Sequence, residues 1–173
     1  MRKLKFEVTP SYLLTAYYAL FHSHINYGIV LWGHAPGCAR VLTIQKAAVR
    51  IITSSDRIAH CKPLFDRLGI LTIYSQFVLS SLVYARSNLE SCTTRGELHS
   101  YNVRTRNDIH IPRYRLSKTK ESNPVLAYQF FNRLPREVRE LSPGPFKRRI
   151  MAWLKERCYY SLGEFIEDDM ADM

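Results

Sequence analysis

Apolar residues recurring every three or four positions, in runs closed by glycine or proline, most constrain what this chain can fold into. Between Ser11 and Tyr27, Leu13, Tyr17, Leu20, Phe21 and Ile25 share one face at the α-helical step. Ser11 after Pro10 offers a cap, and Gly28 offers a stop. Ala16 and Ala19 on the other side leave room for a second helix, so the run reads as a helix covered on two sides. His24 falls within its apolar face, which predicts a hydrogen-bonded core histidine.

Gly33, Pro36 and Gly37 make a loop, and a second helix is expected from Ala39 to Thr53. Its periodicity sets Val41, Ile44, Ala48, Ile51 and Ile52 inward, with Lys46 and Arg50 together on the outer face. "PLFDRLG" predicts a short helix with Pro63 in its first turn and Gly69 at its end. A longer one follows from about Thr72 to Asn88, striped by Ile73, Phe77 and Tyr84 and flanked by Val78, Leu82 and Ala85.

From Glu90 to Lys120 helical periodicity disappears, and basic residues outnumber Glu97 and Asp108. An extended piece near "DIHIPRYRL" would be confined to an edge by Pro112. Ser122 and Pro124 start another helix through "VLAYQFFNRL", and Pro135 begins a short turn. The last helix spans Phe146 to about Cys158. Phe146, Ile150, Trp153 and Leu154 face in, Arg148 and Lys155 face out, and Arg157 must snorkel from the apolar side. The fold class is therefore mainly α: a helical lobe over residues 1–89, an irregular basic connector over 90–121, a second helical lobe over 122–160, and an acidic tail over 161–173.

Charge narrows the function classes. The chain of 173 residues carries 25 basic and 15 acidic residues, a net charge of +10 that suits a polyanionic partner. Glu164, Glu167, Asp168, Asp169 and Asp172 sit in the tail, which reads as frayed and solvated or, alternatively, as folding back onto a basic face to compete with nucleic acid; the preceding residues balance at +15. "YLLTAYYALF" is too short to span a bilayer, and the basic start lacks a signal-type apolar stretch. Cys38, Cys61, Cys92 and Cys158 are scattered, as reduced thiols of an intracellular protein would be, with nucleus and cytoplasm undistinguished.

Chemistry finds little to work with. His22 and His24 lie two apart on a helix, whereas paired metal ligands usually sit four apart, and "HC" at His60–Cys61 has no second pair near it in sequence. There is no GxSxG elbow, and "GHAPG" lacks the Lys and Ser/Thr of a phosphate loop. "IEDD", Ile166 to Asp169, has paired aspartates without the rigid hairpin that two-metal catalysis needs. The expectation is a non-enzymatic chain with no metal, cofactor or small-molecule substrate. Arg104, Arg106, Arg113 and Arg115 interleave with Tyr101 and Tyr114, and Lys147, Arg148 and Arg149 sit on an amphipathic helix. Arginine pairs with phosphate and tyrosine stacks on bases, although a solvated basic surface reads the same way.

Several strings resemble one family in order. "YYALFHSHINYGIVLWG", "LTIQKAAVRII" and "CKPLFDRLGILTI" are followed by "HSYNVRTRNDIHIPRYRLSKTKES", "FFNRLPREVRELS" and "FKRRIMAWLKERCYYSLGEF". Together they resemble the C-terminal part of a reverse transcriptase of the non-LTR (LINE-like, jockey-type) retrotransposons, from about Leu13 to Phe165. The resemblance implies a thumb-like lobe and the segment beyond it, with the fingers, the palm and its metal-binding aspartates lying upstream. It implies nucleic-acid backbone contacts by Lys46 and Arg50 in "QKAAVR", Arg104 and Arg106 in "YNVRTR", and Lys147 to Arg149 in "FKRR", with RNA or an RNA–DNA duplex as partner. Arg113, Arg115 and Lys155 complete the candidate basic set. The alternative is a structural or interaction fragment that packs on the polymerase core or on itself, with Leu13, Tyr17, Tyr18 and Phe21 as the uncovered apolar surface.

Overall fold

The computed structural model describes residues 7–98, 105–111, 113–116, 122–170 and 173. The chain is mainly α-helical; among the described residues no strand forms, and one isolated antiparallel bridge pairs Thr94 with Ile109. In order come α1 (Pro10–Ala16), a π-helical segment (Tyr17–His22), α2 (Ser23–Asn26), α3 (Ile29–Trp32), α4 (Cys38–Ile52), α5 (Lys62–Leu68) and α6 (Ile73–Ser87). A 3-10 turn (Leu89–Ser91), α7 (Arg95–Leu98), α8 (Asn123–Arg133), α9 (Arg136–Arg139), α10 (Pro143–Arg157) and α11 (Leu162–Glu167) follow. Contacts divide the chain into unit 1, residues 1–77 with 152–165, and unit 2, residues 78–151 with 166–173. The composition change near residue 90 lies inside unit 2, since packing follows which faces bury one another.

In unit 1 the first helix departs from its expected phase. Its N-cap is Thr9 rather than Ser11, and after Ala16 the backbone widens into π turns, with the Ser23 N–H reaching the Tyr18 carbonyl five residues back. A π turn takes more residues than an α turn, so each later side chain lags the α-helical phase. Leu13 and Tyr17 stay buried and Ile25 is brought in, while Leu20 and His24, both expected inside, are exposed. The outer side that Ala16 and Ala19 were expected to open to a second helix bears exposed Tyr12, Ala19 and Leu20 instead. Gly28 then stops the helix at φ +60°, a conformation that favours glycine.

The buried face of α4 is also rotated from its expected position. Cys38, Leu42, Gln45, Ala48, Val49 and Ile52 are buried; Ile44 is exposed, and Val41 and Ile51 are only half-buried. The deciding residue is Gln45. Its Nε2 donates to the Tyr17 hydroxyl at 2.8 Å and to the Leu71 carbonyl at 2.9 Å, and its Oε1 accepts from the Ile73 N–H at 3.0 Å. Gln45 thus caps α6 from another helix, satisfying one of the orphan donors of that terminus. A buried amide is tolerable only when matched in this way.

The acidic tail is ordered through its described part. Phe165 is buried with Trp153 and Tyr159, the three ring centroids lying 5.6–6.3 Å apart, and the Thr72 hydroxyl donates to the Tyr159 carbonyl at 2.6 Å. The Glu164 N–H donates to the Ser161 hydroxyl and the Glu164 carboxylate accepts from the Tyr160 N–H. This Ser-x-x-Glu arrangement is close to a capping box, and it starts α11 where a frayed end was expected.

Unit 2 includes the described parts of the segment expected to be irregular. Ile109 is buried, and Asn132 on α8 accepts its N–H and donates to its carbonyl, both at 2.9 Å, as a strand partner would. Arg139 Nη1 meets Asp108 Oδ1 at 2.8 Å in a largely buried ion pair. Phe131 and Phe146 pack at 6.0 Å, and the Arg86 guanidinium donates twice to the Leu141 carbonyl.

Candidate nucleic-acid interface

The candidate cations of unit 2 lie on a helix and on irregular segments. The two N-terminal turns of α10 carry Lys147, Arg148 and Arg149, all exposed, and no acidic residue. Phe146 and Ile150 bury the opposite face, so the three cations are held outward by packing beneath them. Arg113 and Arg115 are exposed in the irregular stretch 113–116, and Arg106 is exposed in a turn, its carbonyl accepting from the Gly96 N–H of α7. The Arg106 stem lies over Gly96 so closely that a Cβ there would strike its Cγ. Among the described residues, none of these six cations forms an ion pair with a carboxylate. Arg104 and Tyr101 lie outside the described residues. Tyr114 is half-buried, and its hydroxyl accepts from Gln129 at 3.3 Å.

The expected cations of unit 1 are engaged within the fold. The Lys46 ammonium stands 3.5 Å from the centroid of the Tyr160 ring, and Arg50 Nε donates to the Ala59 carbonyl at 2.9 Å. Both were expected on an open outer face. With Gln45 turned inward, Lys46 moves to the flank of α4 and both side chains are half-buried. Lys155, also expected to face out, is half-buried, its ammonium 3.5 Å from the position a Cβ on Gly69 would take.

Two participants escaped the sequence reading, Tyr160 and Lys62. Lys62 lies 5.2 Å from the Tyr160 ring centroid and pairs with Glu164 at 3.8 Å. Among the described residues the buried Tyr160 hydroxyl has no hydrogen-bond partner, and burial pushes its pKa up. No local signal joins Lys46 to Tyr160, because they meet only through the return of the chain after α10.

The apolar surface candidates also separate. Leu13 and Tyr17 are core residues, Phe21 is half-buried, and Tyr18 is exposed with its ring 5.2 Å from that of His22. An open hollow of about 290 Å³ in unit 2 is lined by Arg133, Pro135, Asp168, Asp169 and Met170, a mixed-charge wall unsuited to a phosphate. Among the described residues no three His, Cys, Asp or Glu side chains gather as a metal site would need. No family model, no curated protein and no solved structure matches this chain.

Proposed function

We propose that this chain is a non-catalytic, nucleic-acid-binding part of a reverse-transcriptase-like polymerase of the non-LTR retrotransposon type. Its contacts run to the sugar–phosphate backbone and carry no sequence preference. The observation that carries the reading is the row Lys147, Arg148 and Arg149, exposed and unpaired with carboxylates among the described residues. Placed near a helix N-terminus, where the backbone already favours anions, these cations do nothing for helix stability and offer phosphate a site. Arg106, Arg113 and Arg115 of the same unit add to the basic set, and the ordered strings quoted above supply the polymerase context. Lys46, Arg50 and Lys155 contribute less, since unit 1 already engages them.

The test is a titration of the whole chain against single-stranded RNA and an RNA–DNA duplex across a range of salt concentrations. Affinity should fall linearly on a log–log plot as counterions are released. The triple alanine variant at Lys147, Arg148 and Arg149 should flatten the slope by about 0.7–0.9 for each phosphate that is no longer neutralised. A folded chain that fails to bind at low salt would remove the proposal.

A further inference from the structure

From Val8 to Ala39 the chain carries no Asp, Glu, Lys or Arg, although the whole protein has a net charge of +10. The same stretch holds four widely exposed large side chains: Tyr12 at 68%, Leu20 at 66%, Tyr27 at 85% and Leu31 at 75%. The π-helical segment arranges them. Its slower phase takes Leu20 off the buried face and onto the exposed side, with Tyr12 in the preceding turns and Tyr27 just beyond α2. Leu31 is exposed in α3 just beyond Gly28, its Cδ1 standing 4.0 Å from where a Cβ on that glycine would lie. Tyr18 lies off this face, against His22.

We propose that this face docks on the same face of a second copy of the chain, forming a two-fold dimer. Two copies carrying +10 each repel wherever their basic surfaces meet, and a charge-free face is where they approach without that cost. A partner recognised through charge would find nothing on this face to pair with. The four side chains leave about 600 Å² open, taking roughly 200 Å² for each fully exposed large side chain. A two-fold contact that covered all four on both copies would remove at most about 1,200 Å², the lower end for a specific interface. That area suits a reversible dimer in which Leu20 and Tyr27 meet their counterparts or each other across the axis.

The test is sedimentation of the nuclease-treated whole chain over a concentration series at low and high salt. A monomer–dimer equilibrium that holds or tightens as salt screens the repulsion is expected. Leu20→Glu and Tyr27→Glu, which bring like charges together in the face, should each weaken it by at least about tenfold. Ile58→Glu, at a 92% exposed position elsewhere in unit 1, should leave it unchanged. Circular dichroism checks folding, and Tyr27, beyond the end of α2, serves if the Leu20 variant unfolds. A chain that stays monomeric at every concentration would overturn the proposal. So would a dimer that survives both charged variants, or one that dissociates on adding salt.

Discussion

Replacing Gln45 with leucine puts a residue of similar size on the buried face of α4 and removes three hydrogen bonds at once. The Ile73 N–H, the Leu71 carbonyl and the Tyr17 hydroxyl would each lose the Gln45 bond given above. Gln45 is 1% exposed, so water cannot take its place without opening the core. An orphaned buried polar group costs about 1–3 kcal/mol. Allowing for the apolar burial that leucine adds, the expected net loss is about 3–5 kcal/mol. For a chain of this length that lowers Tm by on the order of 10 °C. Both tryptophans, Trp32 and Trp153, lie in unit 1, so tryptophan fluorescence during urea unfolding reports on the unit that is perturbed. Adding Tyr17→Phe to the leucine variant removes one orphan and should recover about 1 kcal/mol. Ile44→Gln tests the other side of the argument. Ile44 is 57% exposed, so the change should stay within about 0.5 kcal/mol, whereas helical periodicity alone ranks Ile44 as core. A loss below about 1 kcal/mol for Gln45→Leu, or a larger loss for Ile44→Gln, would refute the assignment.

Gly33→Ala should cost about 2–3 kcal/mol by the same assay, because a Cβ there would strike the Phe77 ring and lie 2.7 Å from the Ile29 carbonyl. Gly37→Ala, with nothing among the described residues within 4 Å of the added Cβ, is the control and should cost under about 1 kcal/mol. Burial pushes the Tyr17 phenol up to about 12 from its ordinary 10.0. Between those values the unfolded chain loses this proton before the folded one, so the native state binds more protons and stability falls as pH rises. The phenol's contribution is complete below pH 10, and about 2–3 kcal/mol is lost by pH 12. Comparing the pH dependence of unfolding in the parent and Tyr17→Phe isolates that share from the other tyrosines; identical slopes above pH 10 would contradict it.

Much of the helix inventory was legible because it depends on neighbours in sequence. Gly28 and Gly69 end their helices at φ +60° and +62°, Pro63 and Pro124 sit in first turns, and Ser122 precedes α8. The buried stripe of α10 follows the period it shows in sequence. The candidate cations were legible as residue types, but their engagement was not. Lys46 and Lys147 look alike along the chain, yet one lies on an aromatic ring and the other stands exposed. The start of α11 was signalled by Ser161 and Glu164, a spacing masked by the acids around it.

By itself the sequence determined a mainly helical chain, with its stops, its basic surplus and its apolar stripes, because propensity, capping and charge act over a few residues. The tertiary structure decided the phase of those stripes. It turned Gln45 inward, since Tyr17, Leu71 and Ile73 together satisfy its amide, and it set Leu20 outward through a π segment that periodicity at the α-helical step cannot register. Burial of a polar group, and exposure of an apolar one, depend on partners brought together only by the folded chain.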